Sequence, residues 1–286
     1  MGDDVEIFEV GPRDGLQNEA EFIPTADKIA LIDCLSRAGF RRIEVASFVS
    51  PKWVPQMADG AAVLAGITRA DGVSYAALTP NMRGFEGAKA ARASEVAVFG
   101  SASEGFSQAN INATIAESLE RFAPVVEAGR AAGMRVRGYV SCVSDCPYDG
   151  PVDPGAVARV SAALYEMGCY EISLGDTIGQ GTPERMDAML KAVTQVIPVA
   201  RLAGHYHDTG GRALENIEVS LAHGLRVFDA AVAGLGGCPY APGAAGHVAT
   251  EAVHKRLISM GYDTGLDEAV LREASDLAQA MRGDHG

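Results

Sequence analysis

The chain has 286 residues, a formal net charge of −13, 48% hydrophobic and 21% charged residues. This is the composition of a globular enzyme, and the length suits one large α/β barrel or two ordinary domains. The acidic balance repels phosphate backbones and argues against a nucleic-acid partner, and no apolar run reaches the roughly 18 residues of a transmembrane helix. Met1-Gly2-Asp3-Asp4 is acidic where a secretory signal is basic, and the five cysteines (Cys34, Cys142, Cys146, Cys169 and Cys238) show no disulfide framework. A reduced, cytoplasmic protein with no membrane partner is expected.

Short apolar runs rich in Val and Ile begin near Val5 (VEIFEV), Arg42 (RIEVASF), Val73 (VSYAAL), Glu95 (EVAVFG), Arg135 (RVRGYVS), Cys169 (CYEISL), Leu202 (LAGHYH) and Val227 (VFDAAVAG). Between them lie Ala-rich stretches with helical periodicity, including Thr25–Ala38, Ala113–Ala132 and Pro154–Met167. Alternating strand and helix patterns imply βα units and a parallel sheet. Thr25 and Thr182-Pro183 read as N-caps or first turns, and Gly39, Gly133, Gly168 and Gly224 as helix C-caps. Eight repeats argue for a closed barrel over a doubly wound sheet, so the expected fold is α/β, a (β/α)8 TIM barrel, as a single domain over residues 1–286. The glycine-rich stretch Gly234–Gly246 is the one long loop, and Trp53 with its aromatic neighbours reads as packing.

Chemistry in such a barrel sits at the C-terminal ends of the strands. Candidate polar groups collect there: Arg13-Asp14 after the first strand, Glu44 in the second, Asp176 after the sixth, His205 and His207 at the end of the seventh, and Cys238 after the eighth. His205 and His207 are two apart on a strand and share a face, so both imidazoles can reach one cation, although such a pair is commonly structural. Asp14 precedes Gly15 and reads either as a turn residue or as a carboxylate ligand brought near by barrel closure. Arg13 is a surface ion pair or a clamp on a developing oxyanion. Glu44 lies in an apolar strand and needs a partner, Arg13 or a water. Cys238 stands between glycines and proline, accessible enough for proton transfer. Cys142 and Cys146 lack further metal-ligand spacing, and Cys34, Cys169, His223 and His254 read as core or surface residues.

Six segments together resemble the 3-hydroxy-3-methylglutaryl-CoA lyase family: Glu9–Glu19 (EVGPRDGLQNE), Ala46–Met57 (ASFVSPKWVPQM), Arg137–Cys142 (RGYVSC), Gly168–Gly179 (GCYEISLGDTIG), His205–Thr209 (HYHDT) and Ala233–Ala241 (AGLGGCPYA). The resemblance runs from about Val5 to Tyr262. It implies a metal-dependent carbon–carbon lyase with an Arg-Asp signature after the first strand, acting on an acyl-CoA thioester, with a homodimer usual for such barrels and leucine breakdown as the pathway. Asp14, His205 and His207 would bind Mg or Mn. Arg13 would stabilise the enolate of acetyl-CoA and, with Gln17, contact substrate. Cys238 and His205 would move protons, Glu44 and Asp176 would support the site, and the loop around Cys238 would close over it.

Two positions depart from the family. Its further metal ligand, Asn, is His247 here, an imidazole that could still ligate and could favour Zn or Fe. Gly210 stands where the family usually has Tyr. These leave open the same cleavage on a different 3-hydroxyacyl-CoA. A condensing acyltransferase of the isopropylmalate-synthase type is the other alternative, opposed by the loop cysteine motif and by the absence of a C-terminal regulatory domain.

Overall fold

In a computed structural model, which describes residues 3–19, 21–236 and 246–282, the eight apolar runs form one closed parallel barrel. Its strands are β1 (Glu6–Glu9), β2 (Arg42–Ser47), β3 (Ser74–Leu78), β4 (Glu95–Ser101), β5 (Arg135–Ser141), β6 (Ile172–Asp176), β7 (Leu202–Tyr206) and β8 (Val227–Ala230). They follow chain order around the ring, and β8 pairs with β1 from Glu6↔Val227 to Glu9↔Ala230. Helices return the chain between strands: α1 (Thr25–Leu35), α2 (Gly60–Gly66), α3 (Met82–Ala90), α4 (Glu104–Ile111), α5 (Ile115–Ala131), α6 (Pro154–Met167), α7 (Pro183–Val193) and α8 (Ala213–Ala222); α9 (Thr250–Ser259) and α10 (Glu268–Met281) follow β8. Among the described residues no helix is long and apolar enough to cross a membrane.

Helix starts follow local chemistry. Thr114 and Glu117 form a reciprocal capping box on α5, and Asp153 and Thr182 accept amides at the heads of α6 and α7. Thr25 differs: it is the first residue of α1 after Pro24, and its hydroxyl bonds Asp59 rather than a backbone amide. Cys169 is buried ahead of β6, which begins at Ile172. Trp53 is not packed: it is 79% exposed, with the Lys52 ammonium 5.6 Å from its ring centre. The expectation of a packed tryptophan fails because the short 3-10 turn at Pro55–Met57 buries Gln56 and Met57 and leaves Trp53 outside.

Strand alternation sorts side chains into two layers. Outward positions such as Ile43, Val96, Val140, Leu174 and Phe228 join the main apolar core. The interior mixes buried charged pairs with small apolar clusters around Phe8 and Tyr139. Arg137 donates to both carboxylate oxygens of Asp229, at 2.9 and 2.8 Å, and to Glu171 at 2.7 Å. Arg42 bonds Glu171 and Glu6, and the Phe8 ring lies 4.7 Å from the Arg42 guanidinium and 4.5 Å from that of Arg137. Every buried charge here has an opposite charge beside it, the condition under which burial is tolerated.

Candidate active site

The site is built where the strands end. After β1 the chain makes a π-helical turn, Gly11–Gly15, that places Arg13 and Asp14 over the barrel mouth. Gly11 can turn there because it lacks a Cβ: one would lie 2.6 Å from Glu9 Oε1. Glu9 points outward and binds the start of this turn, accepting from Gly11 N at 2.7 Å, Val232 N at 3.0 Å and Thr250 Oγ1 at 2.6 Å.

Glu44 points inward from β2, as its apolar surroundings required. Arg13 donates to Glu44 Oε2 through Nε at 2.7 Å, and Tyr139 Oη donates to the same oxygen at 3.2 Å. The third arm of Arg13, Nη1, donates to Asp14 Oδ1 at 2.8 Å. Burial raises the Glu44 carboxyl against the pull of Arg13. Burial opposes ionisation of Asp14 too, but Arg13, His247 and His205 hold it well below the usual carboxylate range.

His205 and His207 share the inner face of the β7 end, as expected, with ring centres 5.6 Å apart. The chain after β8 returns beside them. Asp208 N donates to Gly246 O, Val248 N to Tyr206 O, and His207 and His247 face each other in an antiparallel bridge. This brings the His247 ring centre to 4.3 Å from His207 and 5.1 Å from His205. One ring nitrogen from each histidine lies within 4.8 Å of the other two. Asp14 Oδ2 is 3.1 Å from His247 Nε2 and 3.6 Å from His205 Nε2.

Two of these atoms are under-satisfied. Among the described residues His207 Nδ1 is buried without a hydrogen-bond partner, and His247 Nε2 is buried with Asp14 Oδ2 alone beside it, at 3.1 Å. Burial, with His247 and His205 alongside, pushes the His207 imidazole well below its usual pKa, so it is neutral and keeps a lone pair. Three imidazoles and an ionised carboxylate facing one another are the donor set of a divalent cation, and burying them unpaired would otherwise be costly. The residues fit such an ion.

Asp176 does not join this group. It faces out of the barrel, accepts from Gly181 N at 2.8 Å and so shapes the turn ahead of α7; burial raises it to about 6. It was expected at the site because it ends β6, but strand alternation sends its neighbour Gly175 inward instead. Gln17 is half-buried just beyond the Arg13 turn. Cys238 lies outside the described residues. Gly210 sits in a tight turn where a Cβ would meet Gly179 O at 2.7 Å, so a tyrosine there would need this turn to move.

Sequence reasoning missed Asp229, Arg137, Ser173 and Tyr139. Asp229 Oδ2 lies 3.0 Å from His205 Nδ1 and accepts from Ser173 Oγ at 2.8 Å, and the Tyr139 ring stands edge-on to His205. A charged residue at an inward position of β8 was the available signal.

Residues 4–278 match the family model described as HMGL-like. The crystal structure of the HMG-CoA lyase from Brucella melitensis superposes with a TM-score of 0.98 at 63% identity, covering 99% of this chain and 100% of that one. The chain is 58% identical over 279 residues to the 3-hydroxy-3-isohexenylglutaryl-CoA/hydroxy-methylglutaryl-CoA lyase of Pseudomonas aeruginosa, covering 98% of this chain and 93% of that protein. An HMG-CoA lyase of Acinetobacter baumannii, in complex with coenzyme A and 3-methylmalate, matches at 37% identity with a TM-score of 0.93 over 98% of this chain and 92% of that one. By a family match over nearly its whole length and relatives well above half identical, the chain belongs to the HMGL-like family.

Proposed function

We propose that this protein is a carbon–carbon lyase that cleaves 3-hydroxy-3-methylglutaryl-CoA to acetyl-CoA and acetoacetate. The observation that carries the reading is one buried cluster in which Arg13 touches both Glu44 and Asp14 while Asp14 faces His205 and His247. Asp14, His205, His207 and His247 would hold a divalent cation, Mg or Mn by family, with Zn or Fe favoured more by a third imidazole than by an amide. When bound, the ion supplies a Lewis acid that lowers the pKa of the substrate hydroxyl and orients it for cleavage.

The rest is done by the chain's own groups. The Cys238 thiolate takes the proton of the tertiary hydroxyl, the adjacent carbon–carbon bond breaks, acetoacetate leaves with a new ketone, and the two-carbon fragment remains as the enolate of acetyl-CoA. Arg13 is fixed by Glu44, so its guanidinium meets the thioester oxygen without reorganising as negative charge develops there. Burial of the cluster strengthens that interaction. A proton delivered to the enolate carbon, the role we assign to Cys238, completes the reaction without an oxidant or reductant. Coenzyme A as the acyl carrier is supported by the complex of the Acinetobacter relative.

A second reading has one observation behind it: the Pseudomonas relative is named for a substrate with a larger isohexenyl branch as well as the methyl one. Incubation of metal-replete protein with 3-hydroxy-3-methylglutaryl-CoA, following acetoacetate and acetyl-CoA together, tests the proposal. Matched release of both, abolished by chelation, supports it. No release, with turnover of a longer-branched thioester, transfers the activity to that substrate.

A further inference from the structure

His205 is held from behind by a group that no motif reveals. Asp229 and His205 are register partners on β8 and β7, both turned into the barrel. Asp229 Oδ2 lies 3.0 Å from His205 Nδ1. The carboxylate is itself immobilised by the two-pronged Arg137 contact and the Ser173 hydroxyl, and Arg137 is braced in turn by Glu171. An acid paired in this way is ionised and can only accept, so the proton of the imidazole sits on Nδ1. The lone pair is then on Nε2, the atom facing Asp14. His247 is oriented by the same logic with a neutral partner, its Nδ1 lying 3.0 Å from Leu235 O. His205 therefore differs from its neighbour in being backed by a full, clamped negative charge.

We propose that Asp229, clamped by Arg137, is a positioning residue that fixes the tautomer and direction of His205 so that Nε2 is presented to the cation. This rests on the metal reading above. Partners of this kind behind a ligating histidine contribute strongly to metal affinity. Asp229→Asn is the informative change. The amide oxygen stays with Arg137 and the amide nitrogen, a donor, turns to His205 Nδ1. The imidazole must then carry its proton on Nε2 and loses the lone pair that a cation needs.

The test uses full-length protein and Mn2+ alone as the probe. Free Mn2+ is followed by electron paramagnetic resonance during titration, and circular dichroism monitors the fold. Histidine-selective 15N NMR of the metal-free wild type reads the tautomer, with His205 assigned from the spectrum of His205→Gln. The expected result is a proton on Nδ1 in the wild type and a Mn2+ dissociation constant raised roughly 10- to 100-fold in Asp229→Asn with the fold intact. An Nε2-protonated His205 in the wild type overturns the proposal, and this decides the matter even where the variant does not fold. A folded variant that binds Mn2+ as tightly as the wild type overturns it alone. A wild type that binds no Mn2+ overturns the metal reading and this proposal together.

Discussion

Arg13 and Glu44 form a buried ion pair in which Glu44 Oε2 receives Nε at 2.7 Å and lies 2.5 Å from Nη2, leaving Nη1 for Asp14. The guanidinium is thus locked by two carboxylates, one on β2 and one beside it in the turn after β1. Arg13→Gln keeps a polar side chain but removes the charge from the place where the enolate oxygen forms. We expect kcat on 3-hydroxy-3-methylglutaryl-CoA to fall about 10²- to 10³-fold, the usual loss for one oxyanion donor, with a smaller change in KM. Steady-state kinetics checks this. The fold survives because Glu44, already pushed up by burial, can take a proton instead of remaining a lone buried charge.

His247→Asn exchanges an imidazole for the amide that the family resemblance places there. A third nitrogen ligand suits softer ions. The substitution is expected to weaken Zn2+ binding more than tenfold while Mn2+ binding changes by a smaller factor. Competition between the two ions for wild type and variant, read by isothermal titration calorimetry, gives the ratio; an unchanged ratio would remove His247 from the ligand set.

Glu9 gives a pH signature. Burial raises its carboxyl from 4.5 to about 7, against hydrogen bonds from Thr250, Val232 and Gly11. Between those values the unfolded chain has released the proton that the folded chain still holds. The contribution to stability is therefore complete below about 4.5 and is lost as pH rises through about 7. Gln does not titrate. The melting temperature of Glu9→Gln minus that of the wild type should rise between about pH 5 and about pH 8, whatever its starting offset. Parallel thermal melts across that range would contradict the assignment if the difference stayed flat or fell.

Gly236 has φ +88°, and a Cβ there would sit 2.9 Å from both His247 Nδ1 and Gly15 Cα. Gly236→Ala should therefore cost about 1–3 kcal/mol in backbone strain and displace the His247 ring from Leu235 O. Urea unfolding measures the first effect. A weaker Mn2+ affinity in the same protein measures the second, which a surface loop glycine would not show.

The barrel was legible because its cause is local. Each βα unit announces itself by a Val/Ile-rich run, a helical period and a cap such as Thr182 or Gly168, and eight units leave closure as the simplest way to cover both sheet faces. The same end-of-strand rule located Arg13, Asp14, Glu44, His205 and His207: the last three follow the period-2 alternation of single strands, and Arg13 and Asp14 lie in the turn that leaves β1. It failed for Asp176, one position out of phase with the inner face; the separate expectation that Trp53 is packed failed because the short turn at Pro55–Met57 leaves it outside.

What tertiary structure alone decided is which groups from different strands share a charge. Nothing in the run VFDA marks Asp229 as the partner of His205, because the pairing arises from the register of β7 against β8 and from Arg137 arriving across the barrel from β5. Nor does any local pattern bring His247 to His207; the chain after β8 has to fold back and bridge the end of β7 to do so. The sequence by itself determined the fold and the inventory of reactive groups, since propensity and periodicity act over a few residues. Barrel closure determined their partners, protonation and direction, since those depend on distances of a few ångströms between residues far apart in the chain.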